Sequence, residues 1–312
     1  MKASKSSHPP GVWIALGLVY VVWGSTYLAI HFAIKTIPPF LMAGVRFLVS
    51  GIILWGLVAL VAKVKSQKLP RVTWTHWKSA AIIGFFLLLI GNGGVCWAEQ
   101  KVSSGMTALL VGTVPIWMVL LEWGRKKGSR PGPRLLTGVL LGFTGIAVLV
   151  LFRPGQGSLG ADTPWALLLV GTSLAWSWGS LYSRSAKLPS SALLATSMEM
   201  IAGGLQQLAV GFLIGEQDRF HWSQFTASSV EAWVYLTLIG SLVGFTSYIW
   251  VLQKSTPDLA STYAFVNPVI AVFLGWLLAG ESLTPSLFLA AALIVTAVVL
   301  ITLGASRKSQ GN

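Results

Sequence analysis

Two stretches of this chain, 153 residues apart, carry one pattern. Gly91 to Trp123 aligns without a gap on Gly244 to Trp276; the offset puts Trp97 on Trp250, Gln100-Lys101 on Gln253-Lys254, Pro115 on Pro268 and Trp123 on Trp276. Each stretch reads as two apolar helices around a short polar turn. Whatever the chain folds into must accommodate that unit twice.

Composition decides the solvent of the unit. Only 10% of the 312 residues are charged and 54% are hydrophobic, at a mean hydropathy of +0.73. A soluble domain carries roughly a quarter charged residues, so lipid surrounds this chain. One span takes ~20 apolar residues. Breakers such as Pro38-Pro39, Pro70, Pro131-Gly132-Pro133, Pro154-Gly155, Pro189, Pro257 and Pro285 place spans near 12–34, 38–62, 78–98, 104–123, 135–152, 164–183, 190–214, 231–252, 258–279 and 285–304. No stretch alternates like a barrel strand, so the fold class is all-α integral membrane, with ten transmembrane helices. The single cysteine, Cys96, excludes an intramolecular disulfide. The basic start runs into the first apolar stretch without a small-residue cleavage site, and reads as an uncleaved first span.

The net charge of +13 sits mostly in short connections, which points to membrane orientation rather than to nucleic acid. The tails and even-numbered loops hold Lys2, Lys5, Lys63, Lys65, Lys68, Arg71, Lys78, Arg125, Lys126, Lys127, Arg130, Arg134, Arg184, Lys187, Lys254, Arg307 and Lys308. The odd loops hold only Lys35, Lys101, Arg153 and Arg219. This bias predicts that both termini are cytoplasmic. Five spans per half is an odd number, so the halves, 12–152 and 164–304, cross in opposite senses. The loops agree: the basic second loop corresponds to a seventh with Glu216, Asp218 and Arg219, and the basic fourth to a ninth with only Glu281. Inverted repeats with a site at their seam are a transporter architecture.

Ionisable groups at membrane depth are few. Arg46 and Glu199 lie mid-span, related by the same 153 offset. A charge at the bilayer centre costs on the order of 3 kcal/mol, so each must face protein or a wet cavity. They form either a substrate contact or gate, or a buried structural pair, or two groups satisfied separately. Proton coupling through Glu199 is a weaker alternative, since a nearby Arg46 holds it ionised. Pro115 and Pro268 are expected to break the fourth and ninth helices at equivalent depths, making a polar or flexible point near Thr113 and Asn267, or only a packing kink.

Polar and aromatic residues gather on the inner spans: Trp23, Ser25, Thr26, Tyr27 and His31; Asn92; Trp176, Trp178, Ser180 and Tyr182; Thr246 and Tyr248; Tyr263 and Asn267. Rings with one polar tip suit a substrate with an apolar body and a polar handle. The plainer alternative is interfacial belts and hydroxyls bonded to their own helix. His31 has no ligand partner at helical spacing, so no metal is expected. Glu99 and Glu122, at span ends, read as solvated. Gly138-x-x-x-Gly142 and Gly145 permit close helix approach, within a monomer or across a homodimer. No GxxxxGK[ST] loop occurs, so ATP coupling is not expected.

The blocks WGSTYLAIHFAI (Trp23 to Ile34), PPFLMAGVRFLVSG (Pro38 to Gly51), SMEMIAGG (Ser197 to Gly204) and STYAFVNPVIAVFLGWLLAGESL (Ser261 to Leu283) resemble the drug/metabolite transporter superfamily, and within it the EamA-type ten-helix exporters. The resemblance covers nearly the whole chain. It implies a bacterial inner-membrane protein with a 5+5 inverted repeat, exporting small metabolites through a cavity lined by the first, third, fourth, sixth, eighth and ninth helices. One departure is visible: halves of this kind often close their fourth helix with Gly-Glu, kept here as Gly280-Glu281, whereas the first half puts Gly128 opposite Glu281.

The expected function is secondary transport by alternating access, with no cofactor and no catalytic residues. The cargo would be amino-acid-like compounds or amphipathic drugs, with counter-transport of protons or solute as an option. A passive channel is the alternative, although channels usually rely on rings of like groups. A lipid-modifying enzyme fits less well, for want of convergent acid, base and nucleophile.

Overall fold

The computed structural model describes residues 10–124, 132–151, 163–255 and 257–308; these are helical with short connections, and no strand occurs among them. The expected basic residues Lys2, Lys5, Arg125 to Arg130 and Arg153, and Gly128 with them, lie outside the described residues. The helices are α1 Pro10–Ala33 and α2 Pro39–Val64, α3 Trp74–Ala98 and α4 Ser104–Trp123, α5 Pro133–Leu151, α6 Thr163–Ser183 and α7 Ala192–Leu213, α8 Ala227–Lys254, and α9 Tyr263–Ala279 and α10 Pro285–Lys308. Of these, α1, α2, α3, α4 and α8 are long and apolar enough to cross a bilayer, and shorter apolar stretches lie in α5, α9 and α10.

Local chemistry explains the helix ends. Pro39, Pro133 and Pro285 open helices, where a missing N–H leaves nothing unsatisfied. Ser103, Ser191 and Thr226 accept from the N–H groups of Met106, Leu194 and Ser229, capping α4, α7 and α8. After α7 and after α9 the chain turns through a left-handed glycine, Gly215 (φ 77°) and Gly280 (φ 67°), a conformation that other residues adopt only with strain. The next residue in each case is a glutamate, Glu216 or Glu281.

The duplication is visible in geometry. Both α3 and α8 contain a wide-turned π stretch, Gly84–Gly93 and Leu236–Phe245. Adding 153 to the first gives 237–246, one residue from the second. Carbonyls of both stretches accept side chains from the α2–α7 pair: Leu88 O from Gln207 Nε2 at 2.6 Å and Thr237 O from Ser50 Oγ at 2.9 Å.

That pair forms the seam of the molecule. A Cβ added at Gly51 would lie 2.8 Å from the Ile201 side chain and 2.9 Å from Ser197 O; one added at Gly204 would lie 2.6 Å from Leu48 N and 2.9 Å from Gly44 O. Gly51, Leu48 and Gly44 carry the offset to Gly204, Ile201 and Ser197, so the contact is reciprocal. Since rising numbers on α2 meet falling numbers on α7, the two helices run antiparallel. In the outer layer, Gly142 and Gly145 of α5 are used within the chain, against Ile116 of α4 and Ile294 of α10.

The two proline positions behave differently. α4 is interrupted between Val111 and Val114, and Pro115 sits at the start of its second piece. α9 runs unbroken through Pro268, contrary to expectation. The interruption expected within the span 258–279 falls earlier, where Thr262 N and Oγ1 both donate to Leu259 O and Ala264 N donates to Ser261 O. Proline's fixed φ is helical, and at the sixth residue of α9 it removes a single backbone bond.

The reciprocal seam generates a prediction. Gly204→Ala should lower the thermal stability of the purified protein by about 1–3 kcal/mol, because its Cβ meets backbone that cannot yield. Gly56→Ala on the same α2, with nothing within 4 Å, should be neutral or stabilise by about 0.5–1 kcal/mol.

Candidate functional site

Along α1 two buried apolar clusters flank a polar gap. Val12, Leu16 and Val19 belong to one, and Tyr27, Ile30 and Ala33 to the other. Between them lies a cavity, with about 610 Å³ of space free of protein atoms when the open solvent at its mouth is counted. α1 contributes Trp23, Thr26, Tyr27 and Ile30, an i, i+3, i+4, i+7 stripe that puts all four on one face. α6 adds Thr172 and Trp176 at i, i+4; α2 adds Arg46 and Phe47; the two π stretches add Gly91, Asn92, Gly240 and Phe245; Val95, Val111 and Tyr263 complete the lining.

Trp23 anchors the aromatic wall. Its ring meets Trp176 edge-on at 5.5 Å and Tyr263 edge-on at 5.3 Å, and Tyr248 at 4.8 Å. Its indole Nε1 donates to Gly240 O at 3.3 Å. Behind the wall, the Tyr248 hydroxyl accepts from Trp176 Nε1 at 3.2 Å and shares a hydrogen bond with Ser180 Oγ at 2.8 Å. Arg46 is 2% exposed. Its Nε donates to Ser241 Oγ at 2.7 Å and its guanidinium carbon lies 4.7 Å from the centre of the Phe47 ring.

The structure brings together Trp23, Tyr27, Arg46, Asn92 and Tyr263 of the expected site, with Tyr248 immediately behind them. It does not bring the others in. Ser25 bonds to Val22 O and Tyr235 on another face of α1. His31 lies further along α1, half-buried against Phe32. Trp178 and Tyr182 stack on each other away from the Trp176 face of α6. Asn267 is buried, with its amide nitrogen, once turned to satisfy both acceptors, donating to Tyr20 O (3.1 Å) and Tyr263 O (3.2 Å). Glu199 is fully buried, does not line the cavity, and has neither carboxylate oxygen hydrogen-bonded. No ion pair joins it to Arg46 among the described residues, so the two equivalent charges stand apart.

The α4 interruption is not a polar point of the cavity either. Its carbonyls are taken from α6: Ser173 Oγ donates to Leu110 O at 3.1 Å and Ser177 Oγ to Val114 O at 3.0 Å. Sequence reading passed over Phe47, Thr172 and Gly240. The i, i+4 spacing of Thr172 and Trp176 is the one signal that could have marked Thr172.

At one end of the bundle the two glutamates that follow left-handed glycines cross to helix N-termini of the first half. Glu281 accepts from Ser104 N (2.7 Å), Ser104 Oγ (2.6 Å) and Gly105 N (3.1 Å). Glu216 accepts from Leu41 N (2.8 Å) and Phe40 N (3.2 Å), with Arg219 at 3.6 Å. Burial pushes the Glu216 carboxyl above the ordinary value, against the pull of those N–H groups and of Arg219. At the offset of 153 the counterparts are Lys63 and Gly128, which cannot cap an N-terminus this way. Glu99, expected in solvent, is 3% exposed at the same end, because the α3–α4 connection tucks inward. Glu122 is exposed, as expected.

Comparison with known proteins agrees with this architecture. The EamA-like transporter family matches the chain twice, over residues 10–151 and 163–303. The chain is 37% identical to the uncharacterized inner membrane transporter YedA of Escherichia coli (strain K12), across 93% of this chain and 90% of that protein. It is 25% identical to the uncharacterized transporter YoaV of Bacillus subtilis (strain 168), across 95% and 99%. It is 27% identical to the S-adenosylmethionine/S-adenosylhomocysteine transporter of Chlamydia muridarum (strain MoPn / Nigg), across 92% and 91%. A solved crystal structure shares the fold at a TM-score of 0.64 and 21% identity, covering 95% of this chain and 98% of its own. The chain belongs to the EamA-like transporter family and is a membrane transporter.

Proposed function

We propose that this chain is a secondary transporter of the bacterial inner membrane. It carries small metabolites through the central cavity by alternating access between two inverted five-helix repeats, 12–152 and 164–304. The observation that carries the reading is the aromatic and polar cavity sandwiched between two apolar layers, with lining residues from both halves. The antiparallel reciprocal seam of α2 and α7 and the paired π stretches support inversion. The named inner-membrane relative supports the location, and a relative named for a small-molecule cargo supports the cargo class. Both termini face the cytoplasm by the basic bias of the loops, and export is the direction the family resemblance implies.

In this reading the Glu216 and Glu281 caps hold the extracytoplasmic end closed. They are charge-assisted bonds between the halves, so rocking the halves apart at that end must release them. At the opposite end Lys63 stands in the place equivalent to Glu216, and a lysine cannot cap a helix N-terminus in this way. Substrate shifts the balance between the two states only by its differential affinity for them.

Three measurements test this. Tags inserted in the 65–72 and 216–225 connections should report opposite compartments, and a shared compartment would sink the inverted repeat. Proteoliposomes should show saturable flux with counterflow; flux without saturation or counterflow would indicate a channel, and product without flux an enzyme. Glu281→Ala should destabilise the purified protein by about 2 kcal/mol. It should also speed labelling of Val102→Cys by an impermeant maleimide several-fold, in a Cys96→Ala background. Unchanged stability and labelling would remove the cap from the closure.

A further inference from the structure

We propose that the cavity is built for an organic anion, with its carboxylate on Arg46 and its apolar body against the Trp23–Trp176 corner. This rests on the carrier reading of the cavity and names the chemical class of its cargo.

The argument starts from a charge without a counter-charge. Arg46 is buried and lines the cavity, and no Asp or Glu lines it with Arg46. A guanidinium in a low-dielectric interior requires acceptors on its N–H groups and a compensating negative charge. Ser241 satisfies Nε, and the face of Phe47 offsets part of the charge. Nη1 is shut in by protein without a hydrogen-bond partner, and Nη2, which is not shut in and lies beside Gly240, makes no hydrogen bond among the described residues either. Two carbonyls of the adjoining π stretch in α8 are already engaged: Thr237 O by Ser50 Oγ and Gly240 O by the Trp23 indole. Glu199, the one mid-span carboxylate at the equivalent position, is turned into the protein elsewhere. The accessible nitrogen, Nη2, is left for an acceptor that enters with the cargo.

The surroundings define the rest of that cargo. Gly240 keeps the guanidinium head in place by lacking a side chain: a Cβ there would lie 3.1 Å from Arg46 Nη2 and 3.2 Å from the Thr26 methyl. The edge-on rings of Trp23 and Trp176, with Tyr263, give a rigid apolar corner for a flat or branched body. Thr26, Asn92 and Thr172 provide neutral polar groups nearby. The combination favours a carboxylate with a hydrophobic body and disfavours cations, which would meet Arg46 without any carboxylate to offset it.

The test is calorimetric titration of the purified full chain with benzoate, 3-phenylpropionate and 2-naphthoate. Each acid is compared with its uncharged amide, and 3-phenylpropylamine is the cationic control. At least one acid should bind about tenfold or more tightly than its amide, and the amine should bind more weakly than either. Arg46→Gln should bring the acid-to-amide ratio near one, and Arg46→Lys, which keeps the charge, should retain a preference of about threefold. The proposal is overturned if the wild-type ratio is near one for every pair, if no acid binds, or if added phosphatidylglycerol abolishes the acid's advantage and so assigns Arg46 to a lipid headgroup. The wild-type ratio needs no variant to fold. Tag placement and counterflow, which test the carrier reading, do not depend on that ratio, so the two can fail separately.

Discussion

A helix that starts inside a protein surrounded by lipid leaves its first N–H groups without water to satisfy them. In this chain two such starts, those of α2 and α4, are met by carboxylates from the other half of the sequence. Glu216 reaches Phe40 and Leu41, and Glu281 reaches Ser104 and Gly105. The reach depends on Gly215 and Gly280, whose positive φ turns the chain back at the end of α7 and of α9. Capping and joining are thus the same contact. The α2 cap falls on the α2–α7 seam itself, where the Glu216 carboxylate also comes within 3.3 Å of a Cβ placed on Gly211.

The same requirement for internal partners shapes the middle of the molecule. The interrupted α4 shows its carbonyls to two serines one turn apart on α6. The π stretches of α3 and α8 accept from Gln207 and Ser50. Those stretches also deliver Gly91, Asn92, Gly240 and Phe245 to the cavity wall. π turns are common at functional sites, and here both sit on the cavity wall. Arg46 Nη1 and both carboxylate oxygens of Glu199 are among the buried groups left without partners, and of these two residues only Arg46 lines the cavity.

The class of the fold was legible from hydropathy and breakers, and most helix bounds fell within a few residues of expectation. The α9 region departs from this, because the interruption at Ser261–Thr262 comes from a turn held by Thr262 and Leu259, which no proline marks. At the site, helical face decides which of the expected residues meet. Trp23, Tyr27 and Tyr263 share the cavity, while Ser25 and Trp178, close to lining residues in the chain, point elsewhere. Residue type alone could not separate them, since an aromatic or hydroxyl side chain serves equally in a wall, a belt or a helix-to-helix bond. Glu99 was misjudged for a related reason: nearness to a span end says nothing about whether the connection folds inward.

What the sequence determined by itself was the environment and the duplication. An apolar, sparsely charged chain without the alternation of barrel strands has only helices with which to satisfy its backbone in lipid, and a constant offset of 153 relates Arg46 to Glu199, Gly51 to Gly204 and Pro115 to Pro268 whatever the fold. Only the tertiary structure decided which of these equivalences matter. Packing brought Gly51 and Gly204 into one reciprocal contact, gave Arg46 the cavity and Glu199 the interior, and let α9 continue through Pro268 where α4 stops. The physical reason is that equivalent positions in the chain meet different neighbours once the two halves fold against each other. Burial, hydrogen-bond partners and the space for a ligand are properties of those neighbours rather than of the residue.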